Sequence, residues 1–383
     1  PIPRGHRTYG SGMSGEALMD ALQNATKDAG AKIMTQTVVR RLVQEESGTV
    51  VGVEAYQLPA GHALTRKHQA LSKAIPRWRN VWASRAQAMR NAQAQIEEEL
   101  IASGAAKPQL LRARKGVILA TGGFIYNLDM LLQHAPHFDQ AFLLGAAGCD
   151  GSGIRLGQSA QGAVGKMNNI SAWRFITPPV LWPRGIVVNT QGQRFCNEQV
   201  YGERLGHEIM EKQGGRAWLI LDARLRKASL RECLFGGWWY FQWLPALLTL
   251  LGAKKAATLD ALAQKIGADA ASLRAEVAAY NAACDQPSGD ALHPSDPQGK
   301  APDMCQKLDA APYYAVDISI ASPFLPMAAI TLGGLQVNEE NGQVQDENGH
   351  AIAGLYAVGR TAVGIPSTRY VSGLSLADCV FSG

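Results

Sequence analysis

The chain has 383 residues, 46% hydrophobic and 18% charged, with a formal net charge of +5. This apolar share is enough to offset chain entropy, so intrinsic disorder is excluded as a description of the whole. The charge is mild and contains no long Lys/Arg block, so no nucleic-acid partner is implied. The length predicts two or three domains at about 150 residues each. Glycine is enriched, with 40 residues making roughly 10% against a usual ~7%. Six cysteines form no CxxC pair, so buried, inert thiols in a reducing, cytoplasmic setting are expected. Pro1 in place of Met suggests that the numbering does not open at a translation start.

Along the chain, residues 11–29 predict a helix that Ser14 can cap and Gly30 stops. Strands are predicted from Ala31 to Val43 and from Thr49 to Ala55. Residues 64–105, rich in Ala, Arg, Gln and Glu, predict one or two long helices. These read either as a plain surface hairpin or as a membrane- or partner-docking element. Lys115 to Ala120 predicts a strand ending in Thr121-Gly122-Gly123, where a backbone can approach a ligand closely. Asp150-Gly151-Ser152-Gly153 predicts a loop feeding a helix N-terminus.

A hairpin is predicted over 186–195, and two helices over Leu259–Ile266 and Ala268–Cys284. Residues 287–302 read as a polar loop. Between Glu232 and Lys254 there is no charge, and aromatics cluster at one end of the run. Gly236, Gly237 and Pro245 argue against a membrane span. A buried core, a pocket wall or an interfacial segment stay open. Near the C-terminus lie Thr331-Leu332-Gly333-Gly334, a strand ending at Gly359, a polar loop from Ser367 to Gly373, and a helix from Leu374.

No GxSxG elbow, HExxH or metal-ligand spacing is present, and His6, His62, His68 and His350 read as solvated. What remains is a set of glycine-bearing strand ends, ATGG, DGSG, TLGG and AVG. Together with KGVILATGGF at 115–124, GIVVNTQGQRFCNE at 185–198, APYYA at 311–315 and SGLSLADCVFSG at 372–383, they resemble one family. It is the flavoprotein superfamily of fumarate reductases, succinate dehydrogenases and 3-ketosteroid dehydrogenases. The resemblance implies an α/β fold with an α+β cap: a Rossmann-like FAD-binding domain with an inserted substrate domain. Its boundaries would be 1–165 (with a helical insertion at 60–110) and 326–383 for the FAD-binding parts, and 166–325 for the cap. The first βαβ unit with its GxGxxG is not found. Gly10 to Gly15 has the glycine spacing but no preceding strand, so the chain is expected to be a cut piece.

Departures from the pattern narrow the implied activity. Ile330, Tyr201-Gly202 and Tyr370 stand where fumarate reductases carry cationic residues, with Arg369 beside Tyr370. That argues against a dicarboxylate. Tyr201 and Tyr370-Val371-Ser372 resemble the ketosteroid dehydrogenase pattern, with the 4-ene-forming type slightly favoured.

The implied reaction is desaturation next to a ketone in a steroid-like substrate. Ser372, assisted by Tyr201, would take the proton, and Tyr370 with a backbone N–H at Gly373 or Leu374 would hold the ketone oxygen. A helix cap is the alternative for Ser372, and a packing role for Tyr370. FAD is the implied cofactor. Val39, Ala120, Thr121, Gly122, Gly123, Asp150, Gly151, Gly359, Arg360, Ser375 and Leu376 are its candidate contacts, though Arg360 replaces a common Glu. No metal is implied. The electron acceptor is left unassigned, and residues 234–251 are a candidate for peripheral membrane contact. A flavin enoate reductase, or a cofactor-free binding or membrane-docking remnant, are the competing readings.

Overall fold

The computed structural model describes residues 14–79, 82–146, 148–238, 240–286 and 295–383. His6, Gly10 to Met13, Trp239, residues 287–294 of the expected polar loop and the capping side chain of Ser14 lie outside the described residues.

Helix α1 (Ser14–Asp28) is followed by Gly30 in the left-handed region. Strands β1 (Thr37–Gln44) and β2 (Val50–Gln57) form an antiparallel hairpin. The first strand starts six residues later than the alternation suggests. Gln36 takes a φ of +54°, and pairing begins only where Thr37 meets Gln57. The inserted segment is two helices, α2 (Ala63–Arg79) and α3 (Ala83–Ala102), packed on each other. Ile96 and Leu100 close a small core with Leu58 and Ala106. His68, expected to be solvated, is buried in this hairpin with Nε2 3.1 Å from Glu97 Oε1. Ile75 lies on the same inward stripe of α2, and that stripe carries His68 against α3.

Strand β3 (Pro108–Arg112) completes a sheet of order β1-β2-β3. Then come β4 (Val117–Leu119), α4 (Leu128–His134), β5 (Phe142–Leu143), α5 (Ser152–Ser159), β6 (Val164–Gly165) and β7 (Ile170–Trp173). They are followed by β8 (Ile186–Val188), α6 (Gly202–His207), β9 (Trp218–Leu221), α7 (Ala223–Phe235), α8 (Tyr240–Leu251), β10 (Lys254–Ala256), α9 (Leu259–Ile266) and α10 (Ala270–Asp285). The chain closes with β11 (Tyr313–Asp317), β12 (Ala328–Thr331), β13 (Gly334–Leu335), β14 (Gln343–Gln345), β15 (Ala351–Ala357) and α11 (Leu374–Ser382). Several helices start on side-chain caps: Asn127, Asp222, Thr258 and Asp269 each accept an amide of the first turn.

The largest core lies around the sheet β10-β11-β9-β8. β8 is buried at every residue, and β9 at all but Trp218, so both lack the alternation of a half-exposed strand. A smaller core joins Leu42 and Val50 to Leu119, Leu335, Leu355 and Ala357. It sits where β15 runs parallel to β4.

The RFCNE segment is a buried ionic knot. Arg194 Nε and Nη2 donate to the two oxygens of Glu198 at 2.9 and 2.8 Å, and its Nη1 donates to Asp296. Lys300 Nζ lies 2.9 Å from Glu198 Oε2 and donates to the Gly185 carbonyl. The described end of the expected polar loop is therefore interior at Asp296 and Lys300. Opposite charges a hundred residues away take it there.

The expectation of uniformly buried thiols needs correcting. Cys149, Cys196 and Cys233 are buried, whereas Cys284 and Cys305 are half-buried and Cys379 is exposed on the last helix. All six are free. Among the described residues no helix is long and apolar enough to cross a membrane, because the uncharged run folds as the end of α7 and the separate helix α8.

Candidate active site

The parallel strands β4 and β15 end side by side, which is where open α/β sheets bind ligands. Three threonine hydroxyls tie the glycine motifs together there. Thr361 Oγ1 accepts the Gly122 amide at 2.9 Å and lies 3.2 Å from the Gly122 carbonyl. Thr121 Oγ1 accepts the Gly153 amide at 3.2 Å. Thr331 Oγ1 accepts the Phe124 amide at 3.2 Å. The four motifs that are scattered in sequence are thus one surface.

The glycines are required by this contact. Gly122 has a φ of +80°. A Cβ on Gly123 would lie 2.1 Å from Thr331 Oγ1, and one on Gly153 would lie 2.3 Å from Thr121 Oγ1. Gly151, with a φ of +76°, is the N-cap of α5, and Asp150 Oδ1 accepts the Ser152 amide beside it at 2.9 Å. β1, which carries Val39, packs against α5.

Arg360 Nη2 donates to Cys149 Sγ at 3.0 Å, and a Cβ on Gly123 would stand 3.7 Å from its Nη1. That Nη1 is buried and has no partner among the described residues. Exposed Ala120, left-handed glycines and an unsatisfied guanidinium suit an anionic cofactor such as FAD. Gly359, where a Cβ would meet Cys379 Sγ at 2.8 Å, joins this surface to α11.

The second half of the site lies on the loop before α11. Tyr370 is buried, and its ring lies 4.8 Å from that of Trp173. Its hydroxyl is 2.9 Å from Ser375 Oγ. The amide of Ser372 donates to Tyr201 Oη at 2.9 Å. Phe175 continues the row from Trp173 to Tyr201, with ring centroids 5.9 Å from Trp173 and 6.1 Å from Tyr201. Ile330 and Leu332 back Tyr370 with apolar surface. The residues expected to act together, Tyr201, Tyr370 and Ser372, are therefore assembled, and an aromatic wall runs between the tyrosines.

α6 is held tightly against this wall. A Cβ on Gly202 would meet the Phe175 ring at 2.6 Å, and one on Gly206 would meet the Ala172 carbonyl at 2.2 Å. Burial pushes the carboxyl of Glu203 above its ordinary range, against the pull of Arg369 and His207. Behind the wall Arg174 is fully buried and donates to the carbonyls of Leu325 and Ser319. Burial draws its guanidinium down to about 9, opposed by Asp317.

The structure also decides between alternatives left by the sequence. Gly373, with a φ of +88°, is the N-cap of α11, and no side chain caps that helix, so Ser372 does not act as a cap. The Leu374 amide is taken by the Val371 carbonyl, which leaves Gly373 as the backbone donor to consider. The Leu376 amide is likewise turned back to Gly373 O, and its side chain is exposed. Trp173 and Phe175 were missed in the sequence, although they flank Arg174 at a two-residue spacing just where β7 ends.

A family model described as "FAD binding domain" matches residues 4–376. The chain belongs to this family. FAD is the cofactor such domains bind, in keeping with the glycine-rich surface at 120–123. The chain is 44% identical over 361 residues to a 3-oxo-5-alpha-steroid 4-dehydrogenase of Comamonas testosteroni, covering 94% of this chain and 66% of that protein. It is 30% identical over 297 residues to a 3-oxosteroid 1-dehydrogenase of Mycobacterium tuberculosis, covering 69% of this chain and 50% of that protein. The FAD-binding domain is also similar to the crystal structure of a 3-ketosteroid-delta4-(5alpha)-dehydrogenase from Rhodococcus jostii RHA1 in complex with 4-androstene-3,17-dione. There the TM-score is 0.70 at 26% identity, with 98% of this chain and 63% of that chain covered. The chain thus spans between half and two thirds of the length of these relatives.

Proposed function

We propose that the chain carries the catalytic residues of a flavin-dependent dehydrogenase that desaturates the carbon–carbon bond next to a ketone in an apolar, steroid-like substrate. The observation that carries this reading is the assembly of Tyr370, Ser372 and Tyr201 at one aromatic wall, beside the glycine surface of an FAD-binding family. Removing a proton next to a ketone develops negative charge on the ketone oxygen, so a donor must face it. Tyr370 Oη, steadied by Ser375, and the Gly373 amide are that pair of donors. Ser372 Oγ takes the proton while releasing its own hydroxyl proton to the phenolate form of Tyr201, whose Oη also accepts the Ser372 amide. A free serine or tyrosine is a weak base near neutrality, so this proximity is essential to the step. When bound, FAD supplies the hydride acceptor at N5.

Of the candidate flavin contacts, Arg360 Nη1 and the Gly122–Gly123 segment would hold the anionic part of the cofactor. Ser375 and Leu376 open α11, whose N-terminal dipole would favour negative charge on the flavin. The apolar wall of Trp173 and Phe175, with Ile330 beside Tyr370, suits a rigid hydrocarbon better than a dicarboxylate. Within this reading, residues 166–325 form a cap inserted in a Rossmann-like domain. The reaction sits where the loop 365–373 meets α6. The 4-dehydrogenase relative at 44% identity favours the 4-ene-forming type. The exposed Leu234, Phe235 and Leu251 at the ends of α7 and α8 support a peripheral membrane contact, which flotation with liposomes tests.

The deciding experiment mixes the FAD-loaded chain with a saturated 3-ketosteroid and a soluble electron acceptor, with product analysis. The expected product is the 4-ene-3-ketone. Reduction of an enoate without steroid oxidation would favour the reductase reading, and a chain that holds no FAD would favour the remnant.

A further inference from the structure

The loop that presents Tyr370 and Ser372 is anchored from the turn between β6 and β7. Asn169 Nδ2 donates to two consecutive carbonyls of this loop, Ser367 O at 2.5 Å and Thr368 O at 3.1 Å. Lys166 Nζ donates to the hydroxyls of the same two residues, at 3.1 and 3.0 Å. Among the described residues no carboxylate lies within ion-pair distance of Lys166.

The turn itself is fixed from behind. Asn169 N–H closes onto Lys166 O at 2.9 Å, and the Leu332 amide donates to Asn169 O at 3.0 Å. Lys166 holds a φ of +53°, a region that non-glycine residues rarely occupy, and strain of this kind clusters where function over-determines the backbone. A Cβ on Gly333 would lie 2.4 Å from Lys166 O, so the TLGG segment presses directly on the turn. A buried serine backbone, Ser367, is thus gripped two residues ahead of Arg369 and three ahead of Tyr370.

We infer that Asn169, assisted by Lys166, is a positioning residue for the reaction. It sets the height of the 367–368 backbone, and thereby the reach of Tyr370 Oη and Ser372 toward substrate. This rests on the proposed roles of Tyr370 and Ser372. The physical reason is geometric: near-attack placement tolerates little error, and a misplacement of about 1 Å costs on the order of a hundredfold in rate. An amide that donates both its hydrogens to successive carbonyls fixes that backbone in two directions.

The test is Asn169→Asp, which keeps the shape but replaces two donors with acceptors facing carbonyl oxygens. Amide hydrogen exchange of the FAD-loaded chain is the first readout, and it does not depend on turnover. Peptides covering 366–381 should exchange at least tenfold faster in the variant, with β8 and β9 unchanged. The second readout is turnover per bound FAD with a 3-ketosteroid, expected to fall at least tenfold with KM nearly constant. The primary isotope effect at the abstracted position should rise. Activity of the variant relative to wild type should recover as pH falls, because a protonated carboxyl regains one donor. Lys166→Met should show the same direction with a smaller loss. Unchanged exchange in 366–381 would overturn the inference, as would a loss of activity explained wholly by lost FAD or folded protein. A wild-type chain with no steroid oxidation but with the faster exchange in the variant would instead count against the proposed reaction and leave the clamp standing.

Discussion

The backbone amide of Ser372 donates to the hydroxyl of Tyr201 at 2.9 Å, joining two segments 171 residues apart in the chain. This bond links the loop before α11 to the first turn of α6. It makes Tyr201 a partner of the candidate base through the main chain, so the serine hydroxyl stays available to substrate.

Tyr201→Phe keeps the ring against Phe175 and removes the acceptor. Steroid-dependent flavin reduction should slow by about 10²–10⁴-fold, the range for losing general acid–base assistance. Rapid mixing under anaerobic conditions measures this, and steroid affinity should change little.

Tyr370→Phe keeps the contact with Trp173 and loses the bond to Ser375. The rate should fall by about 10²–10³-fold, as for removal of one oxyanion donor. Stability should fall by only about 1 kcal/mol, the net worth of one hydrogen bond. Urea unfolding separates the two effects.

Glu203 carries a pH signature. Burial, partly offset by Arg369 and His207, raises its carboxyl above the ordinary glutamate range. Between the unfolded and folded pKa values the native state binds more protons, so stability falls as pH rises through that window. Glu203→Gln removes this penalty. Its melting temperature should exceed wild type at neutral pH, and the difference should shrink toward zero below about pH 4, where both states of the wild type are protonated. A constant difference across pH would contradict the assignment.

Glu198→Ala leaves Arg194 and Lys300 buried with Asp296 as the remaining carboxylate. A loss of about 3–5 kcal/mol is expected, as for a broken buried ion pair. Failure of soluble expression, or a large drop in the urea midpoint, checks it.

Arg360→Leu should weaken FAD binding without altering the fold. A charge-assisted hydrogen bond is worth about 1.5–3 kcal/mol, which corresponds to a loss of roughly 10–100-fold in affinity. Riboflavin, which lacks the phosphates, should discriminate far less between wild type and variant. Quenching of flavin fluorescence measures both.

Much of this site was legible before folding, because glycines at strand ends report close backbone approach. ATGG, DGSG, TLGG and AVG were all placed, and the structure joins them through Thr121, Thr331 and Thr361. The hydroxyl bridges themselves were not legible, since threonine is common and its partners lie up to 240 residues away. Trp173 was hidden for a different reason: a short strand with three buried neighbours carries little alternation. Asp296 and Lys300 looked like loop charges because nothing local announces the distant Arg194 and Glu198. Asn169 was passed over because its partners are backbone carbonyls, which no motif displays.

We propose that Tyr370, Ser372 and Tyr201 remove a proton next to a ketone while bound FAD accepts the hydride. The most direct test is anaerobic addition of a saturated 3-ketosteroid to the FAD-loaded chain, followed by visible flavin absorbance. Wild type should bleach, and Tyr201→Phe and Tyr370→Phe should bleach much more slowly at unchanged FAD content. Persistent yellow colour in wild type, or equal bleaching in all three proteins, would contradict this proposal.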